Sequence, residues 1–175
     1  MSLARHLLRA TGVGLAVLAV GLMLAIRLAP MRVERWHVDP TSAQKQPLGN
    51  DYVLRPFWVA QDGADGIAWV YDGDVGSLAL RLQQTALAEP RTTLLAGDAA
   101  QGFITLVQRS KWMGFPDAIS IRTSDLGQGR ATLAIWSRPR YGNKDWGVNR
   151  ARVQRWLAAN RSFQVDPRPL PAASP

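Results

Sequence analysis

Residues 102–138, GFITLVQRSKWMGFPDAISIRTSDLGQGRATLAIWSR, decide the fold of this 175-residue chain. They contain three of four consecutive runs with strand-like composition: Arg91–Gly97, Gly102–Ser110, Asp117–Asp125 and Arg130–Arg138. The segments between the runs, DAAQG, MGFP and LGQG, are short and rich in turn residues. Hydrophobic and polar residues alternate over Ala118–Thr123, as in a strand with one covered face. The pattern predicts a four-stranded antiparallel meander.

Helical patterns flank the meander on both sides. A short strand in Gly66–Asp74 leads to a helix over Val75–Glu89, for which Asp74 is the expected N-cap. A closing helix is expected from Trp146 to about Asn160, with Asp145 as N-cap. The order strand, helix, four strands, helix predicts a single two-layer α+β domain over residues 66–162, of the helix-grip or TATA-protein-like kind. Such a fold does not by itself specify a function.

The N-terminal region contains an uninterrupted apolar run, Thr11–Ile26. As a helix it is roughly 24 Å long, and with the residues up to Ala29 and snorkelling arginines it reaches the length needed to cross a bilayer. We therefore predict a short basic N-terminus (1–9) and one transmembrane anchor (10–29). A cleaved signal peptide is the alternative, although Arg27 and the absence of an A-x-A site disfavour cleavage.

The charge distribution also favours an anchor. Residues 1–35 contain five arginines and one glutamate and so have a net charge of +4, half of the total of +8. Arginines lie on both sides of the apolar run, so the positive-inside count is nearly balanced. We expect a single-pass protein of the bacterial inner membrane with its N-terminus inside and its domain in the periplasm. Residues 30–65 are predicted to be a tether with an extended piece at Tyr52–Ala60, and residues 163–175 a proline-rich disordered tail.

Residues 137–156, SRPRYGNKDWGVNRARVQRW, form the candidate site. Its members are Arg138, Arg140, Gly142, Asp145, Gly147, Asn149 and Arg152. The two glycines bracket the strand-to-helix turn, the first two arginines leave the strand on one side, and the amide of Asn149 falls on the buried stripe of the helix. One interpretation is a structural staple in which Arg138 or Arg140 pairs with Asp145. The other is that these groups converge on an anionic or polar ligand.

A second candidate surface is the segment KWMGFP, which contains Lys111, Trp112 and Phe115. It is either a corner of the hydrophobic core or a tip that contacts a membrane or a partner.

Several classes of function are disfavoured by composition. There is no cysteine, and the two histidines, His6 and His37, fall outside the predicted domain. Thiol nucleophiles, histidine-based triads and histidine-rich metal sites are therefore not expected, and no catalytic residue, metal or cofactor is predicted. The arginines are too scattered for a nucleic-acid surface. A hydrolase or transferase that uses carboxylates brought together by folding is the least favoured class.

The segments EPRTTLLAG, VQRSKWMGFPDAISIR and especially SRPRYGNKDWGVNRARVQRWLAA resemble the bacterial and plastid domain of unknown function 1499. The last strand of that family reads S-x-S-R-x-G-x-S-D-x-G-V-N-x-x-R. The resemblance covers roughly Val70–Ala159, and its terminal motif matches Arg140, Gly142, Asp145, Gly147, Asn149 and either Arg152 or Arg155. Pro139 and Lys144 depart from the pattern. The resemblance implies a fold and an envelope setting, and no reaction.

Together these features predict a non-catalytic, membrane-anchored envelope protein that binds a lipid-like or anionic ligand, or a partner protein. The expected cavity lies between the sheet and the long helix, with the motif arginines at its rim. The alternative is a structural or assembly module in which the motif only fastens the last helix to the sheet.

Overall fold

A computed structural model describes residues 2–59 and 63–165 of the chain. The helices are α1 (Ser2–Leu28), α2 (Val33–Trp36), α3 (Val75–Ala88) and α4 (Val148–Ala159), with short 3-10 helices at Ala99–Gln101 and Arg161–Phe163. The strands are β1 (Tyr52–Arg55), β2 (Gly66–Ile67), β3 (Val70–Asp72), β4 (Thr92–Asp98), β5 (Phe103–Arg109), β6 (Pro116–Gly127), β7 (Arg130–Pro139) and β8 (Gln164–Val165).

One mixed sheet contains all of these strands. Strands β4 to β7 form the predicted antiparallel meander, and the α+β class is confirmed. The long strand β7 also pairs antiparallel with β3 near its start and with β1 near its end. Strand β2 adds in parallel to β1, and β8 adds to β3. Strand β7 is therefore the centre of the sheet, and its two faces meet different parts of the chain.

Helices α3 and α4 cover one face, which we call the helix face. Helix α3 begins at the predicted cap, where a carboxylate oxygen of Asp74 accepts a hydrogen bond from the Ser77 amide at 2.8 Å. Leu78, Ala79, Leu82 and Ala86 of α3 are buried, together with Val153, Trp156 and Leu157 of α4. The main core lies between these helices and the inward side chains of the strands. The large side chains of this core are fully buried: Leu78, Leu82, Ile104, Leu106, Ile119, Ile121, Leu133, Ile135 and Trp156.

The segment that follows α1 lies on the opposite face, which we call the anchor face. Trp36 and Ala43 are buried there, and Ala43 packs with Val53 of β1 and Trp136 of β7. Part of the predicted tether, residues 30–65, thus contributes to the folded body. The expectation that both histidines lie outside the folded region is wrong for His37, whose ring stacks on Phe103 at 3.9 Å because this segment folds back onto the sheet.

Helix α1 contains one stretch, Arg9–Leu28, that is long and apolar enough to cross a membrane, with a mean hydropathy of 2.1. Membrane anchors and signal sequences share this property. Of the predicted tail, Phe163 ends a 3-10 helix and Gln164–Val165 form β8, while residues 166–175 lie outside the described part of the chain. The end of the predicted extended piece, Ala60, also lies outside it.

Candidate functional site

The turn before α4 differs from the prediction. Helix α4 begins at Val148, and its N-cap is Gly147. Trp146 and Gly147 both have left-handed backbone conformations, with φ of 54° and 78°, and this delays the start of the helix by two residues. Asp145 is therefore not the N-cap residue. Its carboxylate nevertheless accepts hydrogen bonds from the amides of Gly147 and Asn149, each at 3.0 Å, so it still stabilises the first turn of the helix.

Asn149 is fully buried on the helix face, as its place on the apolar stripe predicts. Its Oδ1 accepts hydrogen bonds from Ser137 Oγ and from a guanidinium nitrogen of Arg152, both at 2.7 Å. Its Nδ2 donates to the backbone carbonyl of Asn50 at 3.0 Å. The amide thus connects α4 with β7 and with the residues just before β1.

Arg152 occupies the centre of the same network. Its Nη2 lies 2.6 Å from Asp117 Oδ2, and its Nε donates to Gln108 Oε1 at 2.6 Å. Its Nη1 donates to Ser137 Oγ at 2.8 Å, so all three guanidinium nitrogens have partners. Burial raises the pKa of Asp117, and the charge of Arg152 opposes this shift. We call Ser137, Asn149, Arg152, Asp117 and Gln108 the helix-face network.

Arg138 points away from this network, to the anchor face. It is 2% exposed, and its guanidinium carbon lies 3.8 Å from the centre of the Trp136 ring. Its nitrogens donate to the carbonyl of Trp36 at 2.6 Å and to Ser120 Oγ at 3.2 Å. Burial lowers the pKa of Arg138 to about 10, and the charge of Asp51 acts in the opposite direction.

Two further arginines hold the chain that leaves α1. Arg140 donates to the carbonyl of Pro30, and Arg109 donates to the carbonyl of Ala29 at 3.0 Å. The pKa of Arg109 is lowered, first by burial and second by the positive charge of Arg140. These two cations therefore lie near each other. We call Arg109, Arg138 and Arg140 the arginine clasp.

The clasp borders an open cleft on the anchor face. The cleft has a volume of about 530 Å³. It is lined by Pro30, Arg32, Glu34, Arg35, Trp36 and Arg140. Three of these side chains are cationic and one is anionic, and all but Arg140 belong to the segment directly after α1.

The candidate residues are thus divided between the two faces of the sheet. Arg138 and Arg140 leave β7 on one side, as predicted, and each donates to a backbone carbonyl, so the predicted pairing of one of them with Asp145 is wrong. The ion pair of the region joins Arg152 and Asp117 instead. The prediction of a cavity between the sheet and the helices is also wrong, because apolar side chains fill that space. Gly142 accepts a hydrogen bond from Asn50 through its carbonyl, at 2.7 Å.

Several contributors were missed at the sequence level, among them Arg109, Trp36 and Asn50. One signal was available for Arg109, because side chains alternate along a strand and Arg109 ends β5 on the face opposite to Gln108. No sequence pattern placed Trp36 or Asn50 on the sheet, because their partners are about 85 to 100 residues away and the contacts depend on the folded topology.

The second candidate surface, Lys111, Trp112 and Phe115, lies in the β5–β6 hairpin. Trp112 is 76% exposed, and Lys111 Nζ lies 5.1 Å from the centre of its ring. Phe115 is half-buried and lies 6.1 Å from Tyr141, measured between ring centres. Phe115 is therefore part of the junction with the β7–α4 loop, while Trp112 projects into solvent.

A histidine and two hydroxyl groups also meet on the anchor face. His37 Nδ1 lies 2.8 Å from Thr105 Oγ1, which is 3.1 Å from Ser120 Oγ. Burial lowers the pKa of His37, the charge of Arg122 adds to this effect, and Asp39 opposes it. Thr105 and Ser120 are fully buried, so neither hydroxyl can reach a substrate, and the cluster serves to hold the segment after α1. Among residues 2–59 and 63–165, no group of histidine and acidic side chains could hold a metal ion.

Comparison with known families settles the relationship of this domain. Residues 41–159 match the family described as Protein of unknown function (DUF1499). The chain belongs to this family. The match begins well before the resemblance seen at Val70–Ala159 and includes β1, so the DUF1499 domain takes in residues that lie on both faces of the sheet. No curated protein and no solved structure matches the chain.

Proposed function

We propose that this DUF1499 protein is anchored in a membrane by α1 and binds a phosphate-bearing lipid headgroup in the arginine cleft, without catalysing a reaction. In this proposal the membrane is the bacterial inner membrane, the N-terminus is inside and the domain is in the periplasm. The observation that carries the proposal is the position of the cleft. It opens beside the segment that directly follows the apolar helix, and Arg32, Arg35 and Arg140 line it.

Electrostatics supports an anionic occupant. Glu34 is the single acidic side chain of the lining, so the cleft keeps an excess of positive charge. Arginine binds phosphate through two parallel N–H donors, and basic residues beside a membrane span attract anionic lipids by about 1 kcal/mol each. A headgroup can enter such a cleft from the side while its acyl chains stay in the bilayer.

A structural role for the helix-face network is the second candidate. Its support is the closed set of hydrogen bonds around Arg152 and Asn149, which leaves the guanidinium no free nitrogen for a ligand. The two roles involve different residues, so a single protein can have both.

The binding proposal is tested on the full chain in a mild detergent. Native mass spectrometry counts the short-chain phosphatidylglycerol or phosphatidylcholine molecules that remain bound. We expect the wild-type protein to retain phosphatidylglycerol. Arg140→Gln should lower the affinity for this lipid about tenfold, since a hydrogen bond to a charged group contributes about 1.5 kcal/mol. Arg150→Gln, which removes an exposed arginine of α4, is the matched control and should bind as the wild type does.

Inorganic phosphate separates two sources of the same chemistry. Inorganic phosphate is added at the same millimolar concentration as phosphatidylglycerol. If the phosphate displaces the lipid, the site recognises the free anion and the lipid part of the proposal is overturned. Equal retention of both lipids, or equal loss in Arg140→Gln and Arg150→Gln, overturns the site itself.

Anchoring and orientation need separate tests. The protein should stay with membranes after carbonate extraction, and its intact mass should include the N-terminal 28 residues. A reporter enzyme that folds only in the periplasm should be active when fused after Pro175. A shortened mass or release by carbonate contradicts the anchor, and a silent fusion contradicts the orientation.

A further inference from the structure

The hairpin between β5 and β6, residues 110–115, contacts the end of α1; we call it the tryptophan tip. Arg27 donates a hydrogen bond to the backbone carbonyl of Trp112. One guanidinium nitrogen of Arg109 donates both to Ile26 O, at 3.4 Å, and to Gly114 O, at 3.1 Å. This nitrogen therefore joins the last turn of the apolar helix to the tip.

Gly114 allows this close approach. Its φ is +73°, and a Cβ atom added there would lie 2.5 Å from Cγ of Arg27. A side chain at this position would therefore push the tip away from α1. The tip is fixed at the level of Arg27, directly before the C-terminal end of the Arg9–Leu28 stretch.

The two ends of the sheet differ in chemistry. The tip and the β7–α4 loop leave the same end, because Arg109 pairs with Pro116 and Asp117 pairs with Pro139. This end carries two exposed tryptophans, each beside a lysine: Lys111 with Trp112 at 5.1 Å, and Lys144 with Trp146 at 5.9 Å. The connections at the other end, DAAQG (98–102) and LGQGR (126–130), contain no tryptophan. The exposed ring of Phe163, which lies near that end, packs against the guanidinium of Arg81 at 4.3 Å.

Tryptophan and lysine in this arrangement fit the headgroup region of a bilayer. The indole ring is amphipathic and is enriched at membrane interfaces, and lysine can extend its ammonium group toward the phosphates. We propose that the tryptophan tip inserts into the headgroup layer of the same membrane that holds α1, as a second attachment point. This inference rests on the proposed anchoring by α1, and it does not depend on the arginine cleft.

The absence of cysteine from the chain makes a direct test simple, because one introduced cysteine is the only labelling site. The full chain is labelled at one position with an environment-sensitive fluorophore and reconstituted in vesicles of phosphatidylcholine and phosphatidylglycerol. Quenching is then measured with lipids that carry a spin label either near the headgroup or deep in the acyl chain. Three variants are compared: Met113→Cys in the tip, Leu18→Cys in the middle of the apolar stretch, and Gln101→Cys at the opposite end of the sheet.

We expect the shallow quencher to reduce the Met113→Cys signal about twofold, the deep quencher to reduce the Leu18→Cys signal, and neither to affect Gln101→Cys. Adding Trp112→Glu to Met113→Cys should abolish the shallow quenching, since a carboxylate disfavours insertion. If Leu18→Cys is quenched but Met113→Cys resembles Gln101→Cys, the tip inference is overturned and anchoring stands. If Leu18→Cys is not quenched, the anchoring proposal is overturned, and the tip inference with it.

Discussion

The two faces of the sheet contain arginines in opposite electrostatic situations. On the helix face, Arg152 is paired with the carboxylate of Asp117 at 2.6 Å. On the anchor face, Arg138 and Arg140 are bonded to backbone carbonyls, and within the described ranges no carboxylate lies within 4.0 Å of either guanidinium. A carbonyl satisfies a hydrogen-bond donor but does not neutralise its charge. The arginine of the helix-face network is therefore neutralised by a direct ion pair, whereas Arg138 and Arg140 have no carboxylate in direct contact among the described residues.

Adjacent residues of one strand create this contrast. Ser137 belongs to the helix-face network, and Arg138 belongs to the arginine clasp, because successive side chains of a strand point to opposite faces. A single sequence motif thus contributes side chains to both faces of the sheet.

The comparison predicts that Arg152→Ala has the largest effect on stability. It leaves the largely buried carboxylate of Asp117 without its partner, and breaking a buried ion pair costs about 3–5 kcal/mol in the free energy of unfolding. The measurement is guanidinium denaturation of the full chain in detergent, followed by tryptophan fluorescence. Arg155→Ala is the control, because its ion pair with Glu89 is more exposed and should contribute less than about 1 kcal/mol. Equal losses in the two variants would contradict the larger contribution of the buried ion pair.

The stability loss in Arg152→Ala should depend on pH. Without the arginine, the pKa of Asp117 rises further above its unfolded value, because burial acts unopposed. A carboxyl whose pKa is raised in the folded state binds more protons there than in the unfolded state. The cost of its ionisation to the free energy of unfolding is therefore largest at neutral pH, and it disappears as the carboxyl becomes protonated at lower pH. The deficit relative to wild type should shrink from pH 7 toward about pH 4. Asp117→Asn in the same chain should remove this pH dependence, and a deficit that grows on acidification would contradict the assignment.

Arg138→Ala should have an intermediate effect, about 1.5–3 kcal/mol, since it removes charged hydrogen bonds to Trp36 O and Ser120. Its distinctive consequence is release of the segment after α1, so trypsin should cut after Arg32 and Arg35 faster than in the wild type. Arg122→Ala is the comparison on the same face and should release the segment less, because the ion pair of Arg122 with Asp39 is half-exposed and 3.8 Å long. Unchanged cleavage in Arg138→Ala would show that the clasp does not hold this segment.

Asp145→Ala should have the smallest effect. It removes the acceptor of the Gly147 and Asn149 amides, and the loss of such a cap costs about 1 kcal/mol. Asn143→Ala, in the same loop, should change little. Thermal unfolding followed by circular dichroism measures both variants, and a loss in Asp145→Ala as large as that in Arg152→Ala would place this residue in the buried network.

Local patterns predicted much of the fold. Alternation and turn residues predicted β4 to β7, and the Asp74 cap predicted the start of α3, because these signals act over a few residues. The start of α4 was predicted two residues early, because a bulky aromatic residue such as Trp146 rarely adopts the left-handed backbone conformation that it has here. Alternation on β7 predicted that Arg138 and Arg140 share one side, but not that Asn149 and Arg152 lie on the opposite face. Asn50, Asp117 and Trp36 reach the site through long-range topology, which pairwise spacing does not encode.

The arginine clasp limits how far the domain can reach. A flexible chain with the length of residues 30–65 would have a root-mean-square end-to-end distance of roughly 30–35 Å, and a domain on its end could move that far from the attachment point. Arg109, Arg138 and Arg140 instead fasten the first residues of that chain to the sheet itself. In the proposed anchored state, the domain would therefore stay close to the surface of the bilayer. Encounters with other membrane-bound molecules would then take place by lateral diffusion in two dimensions.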